Sequence, residues 1–322
     1  MAEPLKRISI VVPFYSEELG VEAFFDRMFR VLADLDRYEF EIICVNDGSR
    51  DRTLDRLRAV QQERPEIVII DLTRNFGKEA ALTAGLDHAS GDAVVFIDSD
   101  LQHPPELIAD LLKKWDEDGA PVVLARRRSR TTDHWVHRNS ANVFYRLHNA
   151  VSEIEMPINV GDFRLVDRAV VEQMKLLHES RRFMKGLFAW VGYQPAYVDY
   201  EVAPRAHGRT SFNGWRSWNL AIEGITSFSA APLRLWSYVG LLFALLGFIY
   251  GTWIVLHVLI SGVDVPGFPS VVTAVLFLGG IQLIGIGVLG EYVGRAYLEA
   301  KRRPTYLVQR LYRPTRPTRA TS

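Results

Sequence analysis

The chain has 322 residues, enough for one large α/β domain with something smaller beside it. Lys plus Arg and Asp plus Glu each total 38, so the formal charge is zero and offers no electrostatic ground for nucleic-acid binding. The only cysteine, Cys44 in the apolar run Glu41-Ile42-Ile43-Cys44-Val45, excludes an internal disulfide, suits a reducing compartment and reads as a buried, inert thiol.

The N-terminus runs from polar residues into the strand-like Ile8 to Val12 without the apolar stretch and cleavage site of a signal peptide, so the first domain is expected in the cytosol. A helix is predicted from about Glu18 to Leu35, a second strand over Glu41 to Val45, and a helix from about Asp51 to Arg64. A third strand over Ile67 to Leu72 precedes a helix from Lys78 to His88. A fourth over Ala93 to Ile97 precedes a helix opening at Pro104-Pro105-Glu106. This alternation predicts a doubly wound, mostly parallel sheet of α/β class, with ligands beyond the carboxyl ends of its strands. Polar groups follow each strand: Pro13, Tyr15, Glu17 and Glu18; then Asn46-Asp47-Gly48-Ser49; then Arg74-Asn75-Phe76-Gly77-Lys78; then Asp98-Ser99-Asp100. No Gly-x-Gly-x-x-Gly or P-loop pattern occurs, so neither a dinucleotide fold nor an NTPase is supported.

Asp98 and Asp100 end the apolar run Val94-Val95-Phe96-Ile97, where two close carboxylates are costly without a cation. Mg²⁺ or Mn²⁺ would resolve that cost, taking one or two carboxylates plus substrate phosphates and waters. The alternative is an ordinary helix cap with loop acids, since Asp100 precedes the prolines. Asp47 suits hydrogen bonds from a base or ribose, or else is a solvated turn acid before Gly48. Farther on, Arg126-Arg127-Arg128-Ser129-Arg130 follows the strand-like Val122-Val123-Leu124, with Arg138 nearby. Such a run is either a solvated face or an anion site.

Trp215, Trp218, Ile222 and Ile225 recur at helical spacing just before an apolar stretch, as core or as an interfacial helix. Leu235 to Ile260 carries no Asp, Glu, Lys or Arg, and Ser270 to Leu289 is likewise uncharged. Each is long enough for a hydrocarbon core of about 30 Å. The link between them contains Asp264 and no Lys or Arg, whereas Arg234 precedes the first span and a basic tail follows the second. Both termini are therefore expected in the cytoplasm. Gly279, Gly280, Gly285, Gly287 and Gly290 would let the two helices approach closely.

Together these segments resemble glycosyltransferase family 2. Val11-Val12-Pro13-Phe14-Tyr15-Ser16-Glu17-Glu18 looks like its opening motif, with Ser16 for the usual Asn. Asn46-Asp47-Gly48-Ser49-Arg50-Asp51 looks like its second, with Asn46 for the commoner Asp. Asp98-Ser99-Asp100-Leu101-Gln102-His103-Pro104-Pro105-Glu106 is similar to its metal motif, with His103 where Asp is frequent. Arg74 to Glu79, Gly161-Asp162-Phe163-Arg164-Leu165, and Arg205 with Gly208-Arg209-Thr210-Ser211 are similar to the polyprenyl-phosphate glycosyltransferases. In the last of these motifs Phe212 replaces a Lys.

The resemblance implies a GT-A catalytic domain over 1–214, a linker helix over 215–233, two spans within 234–292 (about 235–260 and 270–290) and a basic cytosolic tail over 293–322. It implies inverting transfer from a nucleotide-sugar, most commonly a UDP-sugar, to a polyprenyl phosphate at a bacterial inner membrane. Pro13, Tyr15, Glu17, Asp47, Lys78, Asp98, Ser99 and Gln102 would bind the donor, with Arg205, Arg209 and Ser211 closing over its phosphates. Asp100 and Asp98 would hold Mg²⁺ or Mn²⁺, Asp162 would be the catalytic carboxylate, as a base or as an orienting group, and Arg127, Arg130 and Arg138 would meet the lipid phosphate. The basic tail would meet lipid headgroups or another subunit. A homo-oligomer, a separate flippase and a downstream transferase complete the expected partners. A processive polysaccharide synthase would carry more spans and a Gln-x-x-Arg-Trp motif. A catalytically dead scaffold would not need both Asp98 and Asp100.

Overall fold

The structure, a computed structural model, describes residues 5–127, 160–177, 179, 182–200, 231–261 and 267–314. It divides into two compact units, one of residues 1–146, 154–212 and 303–322, the other of residues 147–153 and 213–302.

In the first unit, β1 (Lys6–Phe14), β2 (Tyr38–Asn46), β3 (Ile67–Leu72) and β4 (Ala93–Phe96) are separated by α1 (Val21–Ala33), α2 (Thr53–Glu63) and α3 (Lys78–His88). Then come α4 (Leu107–Asp116), β5 (Val122–Arg127), β6 (Val160–Asp167), α5 (Arg168–Lys175), α6 (Met184–Trp190), β7 (Ala196–Tyr200) and, from the C-terminal segment, β8 (Val308–Tyr312). The described strands form one sheet in the order β7-β5-β6-β4-β1-β2-β3-β8. The central strands β4, β1, β2 and β3 are parallel, as the alternation of elements predicts. β6 runs antiparallel between β4 and β5, so its first residues, not its last, reach the edge where β4 ends.

β1 is buried on both faces, which is why it reads as a continuous apolar run. Ile8, Ile10, Val12 and Phe14 pack with Phe24, Phe25 and Met28 of α1 and Ile108, Leu111 and Leu112 of α4. Val11 points to the other face, against α3. There Gly85 is required by contact: a Cβ would lie 2.1 Å from Val11 Cγ1. Gly85→Ala is expected to destabilise the domain by about 1–3 kcal/mol through overpacking, read as a lower thermal midpoint in detergent; an unchanged midpoint would contradict this packing.

The C-terminal segment corrects an expectation. Its arginines suggest a basic tail, yet Val308–Tyr312 pairs antiparallel with β3, Ile70 opposite Leu311 and Asp71 opposite Arg310. Thr73 N–H donates to Leu307 O at 3.0 Å and Gln61 Nε2 donates to Tyr312 O at 3.0 Å. Without β8, β3 would expose an edge of unpaired backbone groups.

The second unit contains α7 (Ala231–Ser261) and α8 (Phe268–Ala300), both longer than the expected spans. Their apolar windows, Leu235–Ile254 and Phe277–Ala300, are 0% and 6% buried, so they are not core helices of this chain. Beyond the expected span, which ends near 290, and inside the Phe277–Ala300 window, α8 carries Glu291 and Arg295, paired one turn apart. The two helices meet at Phe243 and Phe277, edge to face with centroids 5.8 Å apart. Of the five glycines expected between them, only Gly285 has a close neighbour: a Cβ there would lie 1.8 Å from Trp236 Nε1, while the other four have open space. Residues 215–230, which hold the aromatic stripe, lie outside the described residues.

Candidate active site

At the carboxyl edge of the sheet, a cavity of about 290 Å³ is lined by residues following β1, β2, β3 and β4, among them Pro13, Tyr15, Glu17, Asp47, Lys78, Asp98, Ser99 and Asp100. Eight of the expected donor-site residues are Pro13, Tyr15, Glu17, Asp47, Lys78, Asp98, Ser99 and Gln102; all but Gln102 line it directly. Gln102 stands one step behind, its backbone N–H and Nε2 donating to the two oxygens of Asp100 at 3.0 and 2.6 Å. Burial, with the nearby Asp100 and Asp51 carboxylates, raises the pKa of Glu17 above its ordinary value.

Asp47 is engaged by its own chain. Its oxygens accept the backbone N–H groups of Phe76 and Gly77 at 2.7 and 2.9 Å, which fastens the loop after β3 to the loop after β2. Gly48 permits that approach: its φ is +62°, and a Cβ would lie 2.2 Å from the Arg74 carbonyl carbon. Desolvation raises the Asp47 pKa against the pull of those two bonds.

Lys78, at the start of α3, joins two carboxylates that sit far apart in sequence. Its Nζ lies 2.6 Å from Asp98 Oδ1 and 2.5 Å from Asp162 Oδ2. Asp162 arrives on the antiparallel β6 just beyond the end of β4, since Phe96 is opposite Arg164. Lys185 of α6 lies 3.8 Å from the other Asp162 oxygen. Burial opposes charge on Asp162, but Lys185, Lys78 and Arg164 outweigh it and hold the carboxyl well below the usual range. Burial likewise opposes charge on Lys78, and Asp98 and Asp162 outweigh it, raising its pKa.

The third wall is aromatic. His103 Nδ1 is 2.7 Å from Tyr200 Oη and its Nε2 is 3.8 Å from Asp98 Oδ2. Desolvation lowers the His103 pKa despite Asp98 and Asp100. Gly161 leaves room for this ring, since a Cβ would lie 3.1 Å from His103 Cε1.

Asp98 and Asp100 are hard oxygen donors at one wall of the cavity, a set that fits Mg²⁺ or Mn²⁺. No cluster of three or more His, Cys, Asp or Glu with metal-holding geometry occurs among the described residues. The other coordination positions would come from donor phosphates and water, the usual arrangement for Mg²⁺.

Residues 9–175 match glycosyl transferase family 2, and residues 231–296 match the GtrB C-terminal hairpin. The chain belongs to glycosyl transferase family 2. It is 51% identical over 307 residues to the SfII prophage-derived bactoprenol glucosyl transferase of Shigella flexneri, covering 95% of this chain and 99% of that one. It is also 51% identical over 305 residues to the prophage bactoprenol glucosyl transferase homolog of Escherichia coli (strain K12), again covering 95% and 99%. A solved mannosyltransferase of Pyrobaculum calidifontis, PcManGT in complex with GDP-Man and Mn2+, is 19% identical with a TM-score of 0.50. The match covers 92% of this chain and 86% of that one and speaks for the shared GT-A fold alone.

Two departures from the family motifs have local physical reasons. Asn46 Nδ2 donates to the buried Asp71 Oδ1 at 2.7 Å, opposite it in the β2–β3 register, so Asp at 46 would set two carboxylates face to face. His103 fills the space between Asp98, Tyr200 and Phe163. Arg127 ends β5 on the same sheet edge and is exposed. Arg130, Arg138, Arg205, Arg209 and Ser211 lie outside the described residues. Lys185 gave no signal in the sequence: it lies beyond the segment matching the family and sits in the apolar run Phe183-Met184-Lys185-Gly186-Leu187.

Proposed function

We propose that the chain transfers one sugar from a nucleotide-sugar, a UDP-sugar in the first instance, to undecaprenyl or another polyprenyl phosphate, with inversion at the anomeric carbon. The observation that carries this is the cavity where Asp98, Asp100 and Lys78 meet, with Asp162 bound to Lys78. Its support is 51% identity over nearly the whole length to proteins named bactoprenol glucosyl transferases.

The acceptor is a phosphate monoester with a second pKa near 6, so at pH 7 it is mostly dianionic and needs little deprotonation. Its oxygen attacks the anomeric carbon as the bond to the nucleoside diphosphate breaks. The protein's share is therefore to position both substrates and to balance charge. Asp100 and Asp98 would hold a divalent cation, which when bound would supply positive charge to balance the diphosphate leaving group. Pro13, Tyr15, Glu17, Asp47, Ser99 and Gln102 shape the donor site, and Arg205, Arg209 and Ser211 close over the phosphates. Asp162, kept ionised by its lysines, orients the acceptor rather than taking its proton. Arg127, Arg130 and Arg138 supply guanidinium groups for the lipid phosphate.

α7 and α8 span the bacterial inner membrane, with the 215–233 segment at the interface, the catalytic unit and both termini cytoplasmic, and the short link outside. Two helices offer no path for the sugar across the bilayer, so a separate flippase acts next, before a downstream transferase. Self-association of the chain is compatible with this arrangement.

Purified protein given radiolabelled nucleotide-sugars, undecaprenyl phosphate and Mg²⁺ or Mn²⁺ should place label in the organic phase from one donor, and EDTA should prevent it. No transfer from any donor, with nucleotide binding intact, would overturn the proposal.

A further inference from the structure

The donor cavity has Lys78 in its wall but neither Asp162 nor Lys185, and Lys185 pairs with the Asp162 oxygen that Lys78 does not hold. Its distance of 3.8 Å to Asp162 Oδ1 is an ion pair too long for a hydrogen bond, so that contact leaves the ammonium its donors. Its side chain is 30% exposed, which admits a ligand. The backbone beneath it is fixed: Met184 N–H donates to Glu79 Oε2 at 2.9 Å, and the Met184 side chain is buried against Thr83 of α3. α3 thus carries Lys78 and anchors the helix that carries Lys185, and the two ammoniums flank one carboxylate.

The local charge is uneven. Lys78 divides its charge between Asp98 and Asp162, while the acidic group within 4.0 Å of Lys185, among the described residues, is Asp162 alone. Arg164 adds to the field at Asp162 and the Glu79 carboxylate reaches the same group, so the cluster as a whole is near balance. What Lys185 offers a phosphate is a part-exposed ammonium whose contact with Asp162 is too long to use its donors. We infer that Lys185 binds the phosphate of the lipid acceptor beside Asp162. The inference rests on the reaction proposed above and adds to it a residue that reads the acceptor.

The test compares Lys185→Gln and Lys185→Arg with the wild type in the full-length protein. It measures the acceptor KM with a short-chain polyprenyl phosphate and the affinity for UDP by calorimetry. The glutamine variant should raise the acceptor KM at least tenfold with UDP affinity unchanged, and the arginine variant should recover most of the loss. An unchanged acceptor KM in Lys185→Gln, or a fall in kcat alone, would overturn the inference and leave Lys185 as a support for Asp162. Should the glutamine variant lose UDP binding as well, Lys185→Met decides: normal UDP binding with a raised acceptor KM supports the inference, and an unaltered KM overturns it. If the wild type itself forms no lipid-linked sugar, the proposed reaction fails, an outcome separate from either of these.

Discussion

Asp100→Ala is expected to lower sugar transfer roughly a thousandfold, the scale of losing a group that stabilises charge developing in the transition state. Asp100 is exposed at the cavity wall, and its side chain is oriented by two bonds from Gln102. Asp98, by contrast, is committed to Lys78 at 2.6 Å and faces His103. Removing Asp100 leaves one carboxylate to hold a divalent cation, and that one already has an ammonium partner. Affinity for Mn²⁺ in the presence of UDP should fall together with the rate, whereas the thermal midpoint should barely move because the side chain supports no core. Retained activity with unchanged Mn²⁺ affinity would show that the pair of aspartates is an ordinary helix cap.

Asp162→Asn should reduce kcat roughly a hundred- to a thousandfold with little change in donor KM. The substitution keeps the shape and removes the charge that Lys78 and Lys185 share. Lys78 would then answer to Asp98 alone, and the field that orients the acceptor phosphate would lose its centre. The donor pocket, whose lining does not include Asp162, should bind UDP as before. Wild-type kcat in this variant would remove Asp162 from the mechanism, and loss of UDP affinity would move it to the donor side.

The central sheet was legible because each parallel strand is buried on both faces and each motif residue sits directly after its strand. Val94 to Ile97 announces β4 and places Asp98 and Asp100 at its end without any long-range information. The pairing of β8 with β3 was hidden, because it joins segments some 240 residues apart through a stretch whose arginines read as a solvated tail. Asp47 was visible as a site residue, but not its bonds to Phe76 and Gly77, which depend on how two loops meet. The Lys78–Asp98–Asp162–Lys185 cluster draws on α3, the end of β4, β6 and α6, and only the antiparallel turn of β6 brings Asp162 to the others. The helix hairpin was legible in its apolar length, while which glycine makes contact depends on rotation about the helix axes, which composition does not encode.

The most direct measurement is the intact mass of the lipid recovered after incubating the purified protein with undecaprenyl phosphate, UDP-glucose and Mn²⁺. The expected product is the acceptor plus one hexose residue, absent from the Asp100→Ala reaction. Acceptor recovered unmodified with this and every other nucleotide-sugar, from protein that binds UDP, would contradict transfer to a polyprenyl phosphate.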